Sequence, residues 1–481
     1  MVSSHRDGSD KLVVDSIHGD VHLTRCELEV IDTGSFQRLR HLKQLAMSQM
    51  AYPNATHTRF AHSLGALAIM EKITQIAKKS GQIKLSRKQE ENLRLAALLH
   101  DIGHYPYSHL MERLDKVKLI KEQVDVPKKA EQTLDRSGDP YPEHDLVGTF
   151  IVNNQSDLIE ALGGKRRAKM IANLFGPKRP TQSQRILQLS KLVHSSLDMD
   201  RLDYLLRDSQ ATGVPYGQID LNYILNNLKI SPSGMVGISE KAMPAAEQFL
   251  LARFFMHRTV YYHKTTFGIE EACRQLLRRL RDQGKYEIPK DGKEIRELVT
   301  SEALGTFTDA YVDQLIHKAA NNEQDQVIQA LARSIQKRQP PKLLKEIPIL
   351  GSVEQSHEPH KGTIFKLNCK HHLYNLSKEL NVPLEHFILC ETPPLRLEKR
   401  GPLVAAEEAM KADWKEEEEL IKVFETGESE PKSLVDIPYS LLSKCAGLFY
   451  QSFRLYVVYE GKDKDNVITE LREKVREWDK S

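Results

Sequence analysis

The chain has 481 residues, 40% of them hydrophobic and 28% charged, and a formal net charge of +3. That balance reads as soluble and globular, with room for roughly two to four domains or one large core plus a lobe, and it implies no wholesale binding to nucleic acid or anionic membranes. No apolar run approaches membrane-spanning length, MVSSHRDGSDK lacks an apolar signal region, and the five scattered cysteines fit a reducing, cytoplasmic compartment.

In chain order, KLVV and VHLT flank His18-Gly19-Asp20 and predict a short N-terminal β-hairpin. From Glu27 to about Gln336 helical periodicity dominates. Thr58 can cap a helix on which Arg59 and His62 lie three apart on one face. Ser86-x-x-Gln89 is a capping-box signal that opens a helix running into LLHDIGHYPYSH, residues 98–109. On it Leu93, Ala97, His100 and His104 share one face, and Leu95, Leu98, Leu99 and Ile102 form a second apolar face. A helix apolar on most sides is buried, so His100, Asp101 and His104 should project into the interior or a cleft.

Residues 121–143 are polar and read as an exposed insertion. DMDRLDYLLRDS places Asp200, Tyr204 and Asp208 on one helix face and Leu202, Leu205 and Leu206 on the opposite one. LKISPSGMVGIS predicts a second hairpin, and the pattern from Pro244 to about Gln283 predicts one very long helix. Pro340 and Pro341 break the helical run. Beyond them FILCE and RLYVVYE are strand-like and Glu416–Glu419 reads as a solvated helix face. The division expected is a core over residues 1–345, with its motifs at about 57–208, and a small α+β lobe over 346–481. Cys369, His371 and His372 have no partner pair at zinc-site spacing and read as chance composition.

An unpaired buried aspartate is costly, so Asp101 needs a cation or strong donors. Neutral imidazoles beside carboxylates are a donor set for a first-row metal. Three helices, each with a polar stripe against an apolar back, can build a site between them.

IDTGSFQRLRHLKQLA, HTRFAHSLG, LLHDIGHYPYSH, EHD, DMDRLDYLLRDS and FFMHRTVYYHK occur in one order. As an ordered set they resemble the HD-domain deoxynucleoside triphosphate triphosphohydrolases, specifically the type related to the animal SAM-and-HD-domain enzyme, over roughly residues 10–345. The fold this implies is mainly α: a helical HD-domain phosphohydrolase core with the N-terminal hairpin, the inserted hairpin and the C-terminal α+β lobe. The resemblance implies His62, His100, Asp101 and Asp200 as ligands of one divalent ion (Mn, Fe, Mg, Zn or Ni). It implies His104, His109 and His144 on the phosphate side, with His144 as general acid and Glu112, where the family has Asp, as its carboxylate partner. Arg59, Arg201 (in place of a lysine), Tyr204 and Arg253 resemble triphosphate contacts, Gln44 and Asp208 the partners of the sugar 3′-hydroxyl, and Leu45 and Tyr261 the wall that excludes a 2′-hydroxyl. His257, His263 and Lys264 lie near this site in the pattern.

The reaction implied is hydrolysis of dNTPs to deoxynucleoside and inorganic triphosphate. Two alternatives stand beside it. One is another HD-type phosphohydrolase, acting on nucleoside monophosphates, cyclic dinucleotides or alarmones. The other is a non-catalytic scaffold that binds single-stranded nucleic acid.

Asp32, Gln37 and Arg40, read from spacing alone, are a helix start followed by a solvated face. The triplet also resembles the family's guanine-reading site, with Arg338, Lys342 and Lys11 as a basic patch for the activator's phosphates, although Val14 stands where an asparagine is usual. The resemblance therefore implies activation by GTP or dGTP in a homotetramer, or in a dimer that pairs into one.

Overall fold

Side-chain caps fix many of the helix starts. Thr24, Thr33, Thr58, Ser86 and Asp198 each accept a backbone N–H from the first helical turn, which satisfies one of the donors a helix start leaves open. The computed structural model describes residues 11–126, 139–178, 182–352, 361–397, 420–426, 430–445, 448–461 and 463–480. The Glu416–Glu419 run and residues 127–138 of the polar insertion lie outside them.

The fold is mainly α. The hairpin of β1 (Lys11–Asp15) and β2 (Gly19–Leu23) leads into α1 (Arg25–Ile31) and α2 (Gly34–Gln37). The long α3 (Arg59–Ser80) follows, then α4 (Arg87–Leu99), the short α5 (His109–Glu112) and α6 (His144–Asn154). Next come α7 (Ser156–Ala161), α8 (Lys165–Phe175), α9 (Gln184–Val193), α10 (Met199–Thr212) and α11 (Leu221–Asn226). The second hairpin is β3 (Leu228–Ile230) with β4 (Val236–Ser239). It is followed by α12 (Met243–Met256), α13 (Lys264–Gln283), α14 (Gly292–Val299), α15 (Asp309–Asn322) and α16 (Gln326–Gln336).

The C-terminal part carries β5 (Lys342–Ser352), α17 (Lys361–Glu379), β6 (Phe387–Glu391), β7 (Leu395–Arg396), β8 (Lys422–Phe424), β9 (Lys432–Ser433), β10 (Leu448–Val457) and α18 (Lys464–Lys474). β10 is the centre of one sheet, antiparallel to β5 on one side and to β6 on the other. Its own apolar cluster includes Phe365, Leu373, Phe387, Leu455 and Leu471. β8 leaves that lobe and pairs parallel with β4, so a C-terminal strand completes the inserted hairpin of the core.

Three sequence expectations need correction. α4 stops at Leu99, so His100 is its C-cap and His104 lies beyond the helix. The chain turns there because α6 presses against it: a Cβ on Gly103 would lie 2.1 Å from the His144 carbonyl oxygen and 2.2 Å from the Gly148 nitrogen. The Pro244–Gln283 pattern is two helices, interrupted by a π-helical segment at His257–Tyr261 and a break at Tyr262-His263. β-branched Thr259 and Val260 and the paired tyrosines weaken the helix locally, and π segments of this kind recur at functional sites. Asp32 is not at a helix start. It is the C-cap of α1, because Thr33 begins α2 by accepting from the Phe36 N–H.

Candidate metal centre and flanking cavities

His62 comes from the first turn of α3, His100 and Asp101 from the end of α4, and Asp200 from the first turn of α10. Their donor atoms converge. His62 Nε2 lies 3.1 Å from Asp200 Oδ1, 3.3 Å from His100 Nε2 and 3.6 Å from Asp101 Oδ2. His100 Nε2 lies 3.4 Å from Asp101 Oδ1 and 3.7 Å from Asp200 Oδ1.

The opposite ring nitrogens decide what these atoms can do. His62 Nδ1 donates to Asp203 Oδ2 at 2.7 Å, and His100 Nδ1 donates to the Ala97 carbonyl at 2.7 Å. Both partners can only accept, so each Nδ1 carries a proton and each Nε2 is left with a lone pair. Two imidazole lone pairs and two carboxylates facing one point repel each other unless a cation lies between them. First-row metals bind such donors at about 2.1 Å, which separates neighbouring donors by roughly 3 Å. The residues therefore fit a divalent ion.

Asp101 is held from behind. Arg59, only 4% exposed, pairs with its Oδ2, and Arg59 also donates to Ser108 Oγ at 2.8 and 3.0 Å. Burial opposes the Asp101 charge, and the Arg59 guanidinium still holds the carboxyl well below the usual range. His104 donates from Nε2 to Asp101 Oδ1 at 3.0 Å and stacks on His144, with ring centroids 4.0 Å apart at 11°.

Glu112 sits beneath His109 and His144. It accepts from His109 Nδ1, and its Oε1 accepts from the His144 backbone N–H at 2.8 Å and from His144 Nδ1 at 2.9 Å. Burial works against the His144 cation, yet the bond to Glu112 and nearby Asp145 raise it to about 9. His104, His109 and His144 are close enough together to suggest a second metal site. The near-parallel stack argues against one, because an ion lying in the plane of one ring would lie well out of the plane of the other.

A cavity of about 380 Å³ on one side is lined by Gln44, Leu45, Arg59, His109, Tyr204, Asp208 and Tyr261. Gln44 Oε1 is buried there with no hydrogen-bond partner among the described residues. Both Asp208 oxygens are engaged, by Tyr261 Oη at 2.6 Å and His57 Nε2 at 2.8 Å. A second cavity of about 420 Å³ is lined by His100, Asp101, His144, Asp200 and Arg201. Of the expected triphosphate contacts, Arg59 and Tyr204 line the first cavity, Arg201 the second and Arg253 neither. Arg201 faces the second one and pairs with Asp198, while Arg253 donates to the Leu397 carbonyl of the C-terminal part at 2.8 Å.

The expected regulatory residues lie apart from both cavities. Lys11 opens β1 and Lys342 opens β5. Gln37 Nε2 donates to the Ile31 carbonyl at 2.7 Å, and Arg40 Nε donates to Gln37 Oε1 at 2.7 Å. Asp32 is exposed beside them. Arg338, in the left-handed region at φ +50°, donates to the Met50 carbonyl at 2.8 Å.

Sequence reading missed the layer behind the ligands. Asp203 is fully buried and accepts from His62, from His18 Nε2 at 2.6 Å and from Arg207 Nε at 2.8 Å. Arg207 reaches on to Asp15 at 3.0 Å, and Asp15 Oδ1 accepts the Ile17 and His18 N–H groups, so the turn of the N-terminal hairpin is joined to the candidate metal centre. A Cβ at Gly65 would lie 1.9 Å from Asp203 Oδ1, which is why that α3 position is glycine. The only sequence signal was Asp203-x-x-x-Arg207 on one face of α10. Such outer partners orient imidazole ligands, so His18→Ala should weaken metal affinity by about 10–100-fold. Titration of metal-free protein with Mn²⁺ checks this, and unchanged affinity would remove His18 from the site.

Residues 59–208 match the HD domain family and residues 219–339 the HD associated region. The chain is therefore an HD-domain protein, homologous to the SAMHD1-type proteins that its ordered motifs resemble. It is 36% identical over 258 residues to an uncharacterised protein of Methanocaldococcus jannaschii, an alignment covering 53% of this chain and 46% of that one. It is 28% identical over 294 residues to the protein named deoxynucleoside triphosphate triphosphohydrolase SAMHD1 homolog in Dictyostelium discoideum, covering 59% and 52%. The chain thus spans about half the length of these curated relatives. A solved phosphohydrolase structure from Bacteroides thetaiotaomicron shares the fold, with a TM-score of 0.65 at 22% identity over 93% of this chain and 100% of that one. Among the described residues no helix is long and apolar enough to cross a membrane.

Proposed function

We propose that the protein is a metal-dependent phosphohydrolase that converts dNTPs to deoxynucleoside and inorganic triphosphate. The observation that carries this reading is the convergence of His62, His100, Asp101 and Asp200, in which the Nε2 atoms of both histidines lie 3.1–3.7 Å from an oxygen of each carboxylate, beside a cavity lined by Leu45, Tyr204 and Tyr261. A bound divalent ion supplies the charge that polarises a phosphoryl oxygen and acidifies a water.

The protein's own residues do the rest. Arg59 and His104 fix the Asp101 carboxylate through its two oxygens and so orient the site. His144, kept protonated through Glu112, gives its proton to the departing 5′-oxygen as water attacks the α-phosphorus. Tyr261, anchored by Asp208, stands with Leu45 against the sugar and leaves no room for a 2′-hydroxyl. The same reading takes GTP or dGTP as activator at Asp32, Gln37 and Arg40 in a homo-oligomer.

The test is chromatography of the products from each dNTP and NTP with Mn²⁺, Mg²⁺ or Fe²⁺, with and without dGTP. Deoxynucleoside plus triphosphate is expected from dNTPs, with NTP turnover lower by on the order of a hundredfold, since an apolar wall rejects an added hydroxyl only to that extent. Tyr261→Ala should narrow the gap. Equal rates on ATP and dATP, or release of monophosphate or pyrophosphate, would contradict the reading.

A further inference from the structure

A third cavity, of about 550 Å³, lies where the segment after α5 and helix α13 meet α17 and β6. Arg113, Phe267, Arg274 and Pro393 line both this groove and the cavity assigned to substrate, so the two share a wall. Its cations are Arg113, Lys116, Lys118, Arg274, Lys366 and Lys370, against Glu122, Glu271 and Glu391. The acids are already engaged: Glu271 pairs with Arg274, Glu391 with Lys366 at 3.0 Å and Glu122 with Arg278 at 3.1 Å. Arg113, Lys116 and Lys118 form no ion pair among the described residues, and Arg274 Nε is buried without a hydrogen-bond partner among them. Arg274 and Lys366 are themselves spent on these acids and Lys370 lies 3.8 Å from Asp125, so the cations the recess leaves uncompensated among the described residues are Arg113, Lys116 and Lys118.

We propose that this groove binds a condensed phosphate, a chain of linked phosphates that is either inorganic triphosphate or the tail of a second nucleotide. A single phosphate would meet only part of the Arg113, Lys116 and Lys118 set, whereas a chain can span it and reach the buried Arg274 Nε, which has no partner among the described residues. The volume is that of a small-ligand site, and guanidinium and ammonium groups are the usual partners of phosphate oxygens. Arg113 and Arg274 in the shared wall pass occupancy of the groove to the substrate cavity. Only this last step rests on the function proposed above; binding itself does not.

The experiment is calorimetric titration of sodium tripolyphosphate, and separately of α,β-methylene-dATP, into the full chain kept metal-free with EDTA. The unaltered protein is compared with Lys116→Glu/Lys118→Glu, two exposed positions outside the substrate cavity. At least one ligand should bind the double variant about tenfold more weakly, with a difference that shrinks as salt rises. Which ligand shows the loss identifies the source of the phosphates. In the unaltered protein the same ligand should slow acylation of Lys116 and Lys118 severalfold. Affinities that ignore the two charge reversals, or lysines that stay unprotected, would overturn the proposal. Neither readout uses turnover, so its failure and the failure of the proposed reaction can be told apart.

Discussion

Asp200→Ala is expected to abolish bound metal and lower turnover by about 10³-fold or more, while leaving the unfolding temperature close to that of the unaltered protein. A metal that supplies several kcal/mol of charge stabilisation accounts for a loss of that order. Asp200 is the ligand to change because its side chain is 39% exposed, and the partners it leaves behind are His62 and His100, each still bonded through Nδ1. Asp101→Ala should lose the same metal and activity but unfold more easily, by roughly 3–5 kcal/mol, since it leaves the buried Arg59 guanidinium without its carboxylate. Metal analysis and thermal unfolding of both variants check the pair of outcomes. Stoichiometric metal retained in Asp200→Ala would remove that residue from the centre. Equal stability of the two variants would show that Arg59 does not depend on Asp101.

The second large effect concerns the proton on His144. His144→Ala should slow the reaction by about 10²–10⁴-fold, the range of a general acid. Glu112→Gln should act differently. In the unaltered protein the imidazole is raised from 6.5 to about 9, so activity that needs the cation should persist until pH nears 9. Without the carboxylate, the alkaline limb should move down toward about 6.5, the ordinary histidine value. The linkage has a definite sign: a raised pKa in the folded state contributes stability that is fully present below about pH 6.5 and lost as pH rises through about 9. Glu112→Gln should therefore cost more stability at pH 6 than at pH 10. Rate profiles and unfolding measured across this range check both statements. A limb that stays in place would show that something other than Glu112 holds the proton.

Much of the centre was legible before folding. Apolar periodicity set α3, α4 and α10 against one another, and cap signals at Thr58 and Ser86 fixed where the first two begin. Once the starts are fixed, the helical repeat alone brings Arg59 beside His62 and puts Tyr204 and Asp208 on one face. A wrong boundary misleads the same reading. Periodicity carried α4 through His104 and fused α12 with α13, because it registers apolar spacing and not the partner that stops a helix. At Gly103 that partner is α6, pressing on the backbone.

What the sequence by itself determined was the helical class, the two hairpins, the helix starts at Thr58 and Ser86 and the residue types able to hold a metal, since each follows from local spacing and local hydrogen bonding. Tertiary structure alone decided the rest. It joined His18 to His62 through Asp203, across 185 and 141 residues of chain. It put Arg59 and Tyr204 on one cavity, Arg201 on another and Arg253 on the Leu397 carbonyl, and it committed Arg59 to Asp101. It carried β8 from the C-terminal part to pair with β4. These contacts are set by the packing of buried charges and sheet edges far apart in the chain, and no local pattern encodes which buried carboxylate will meet which imidazole.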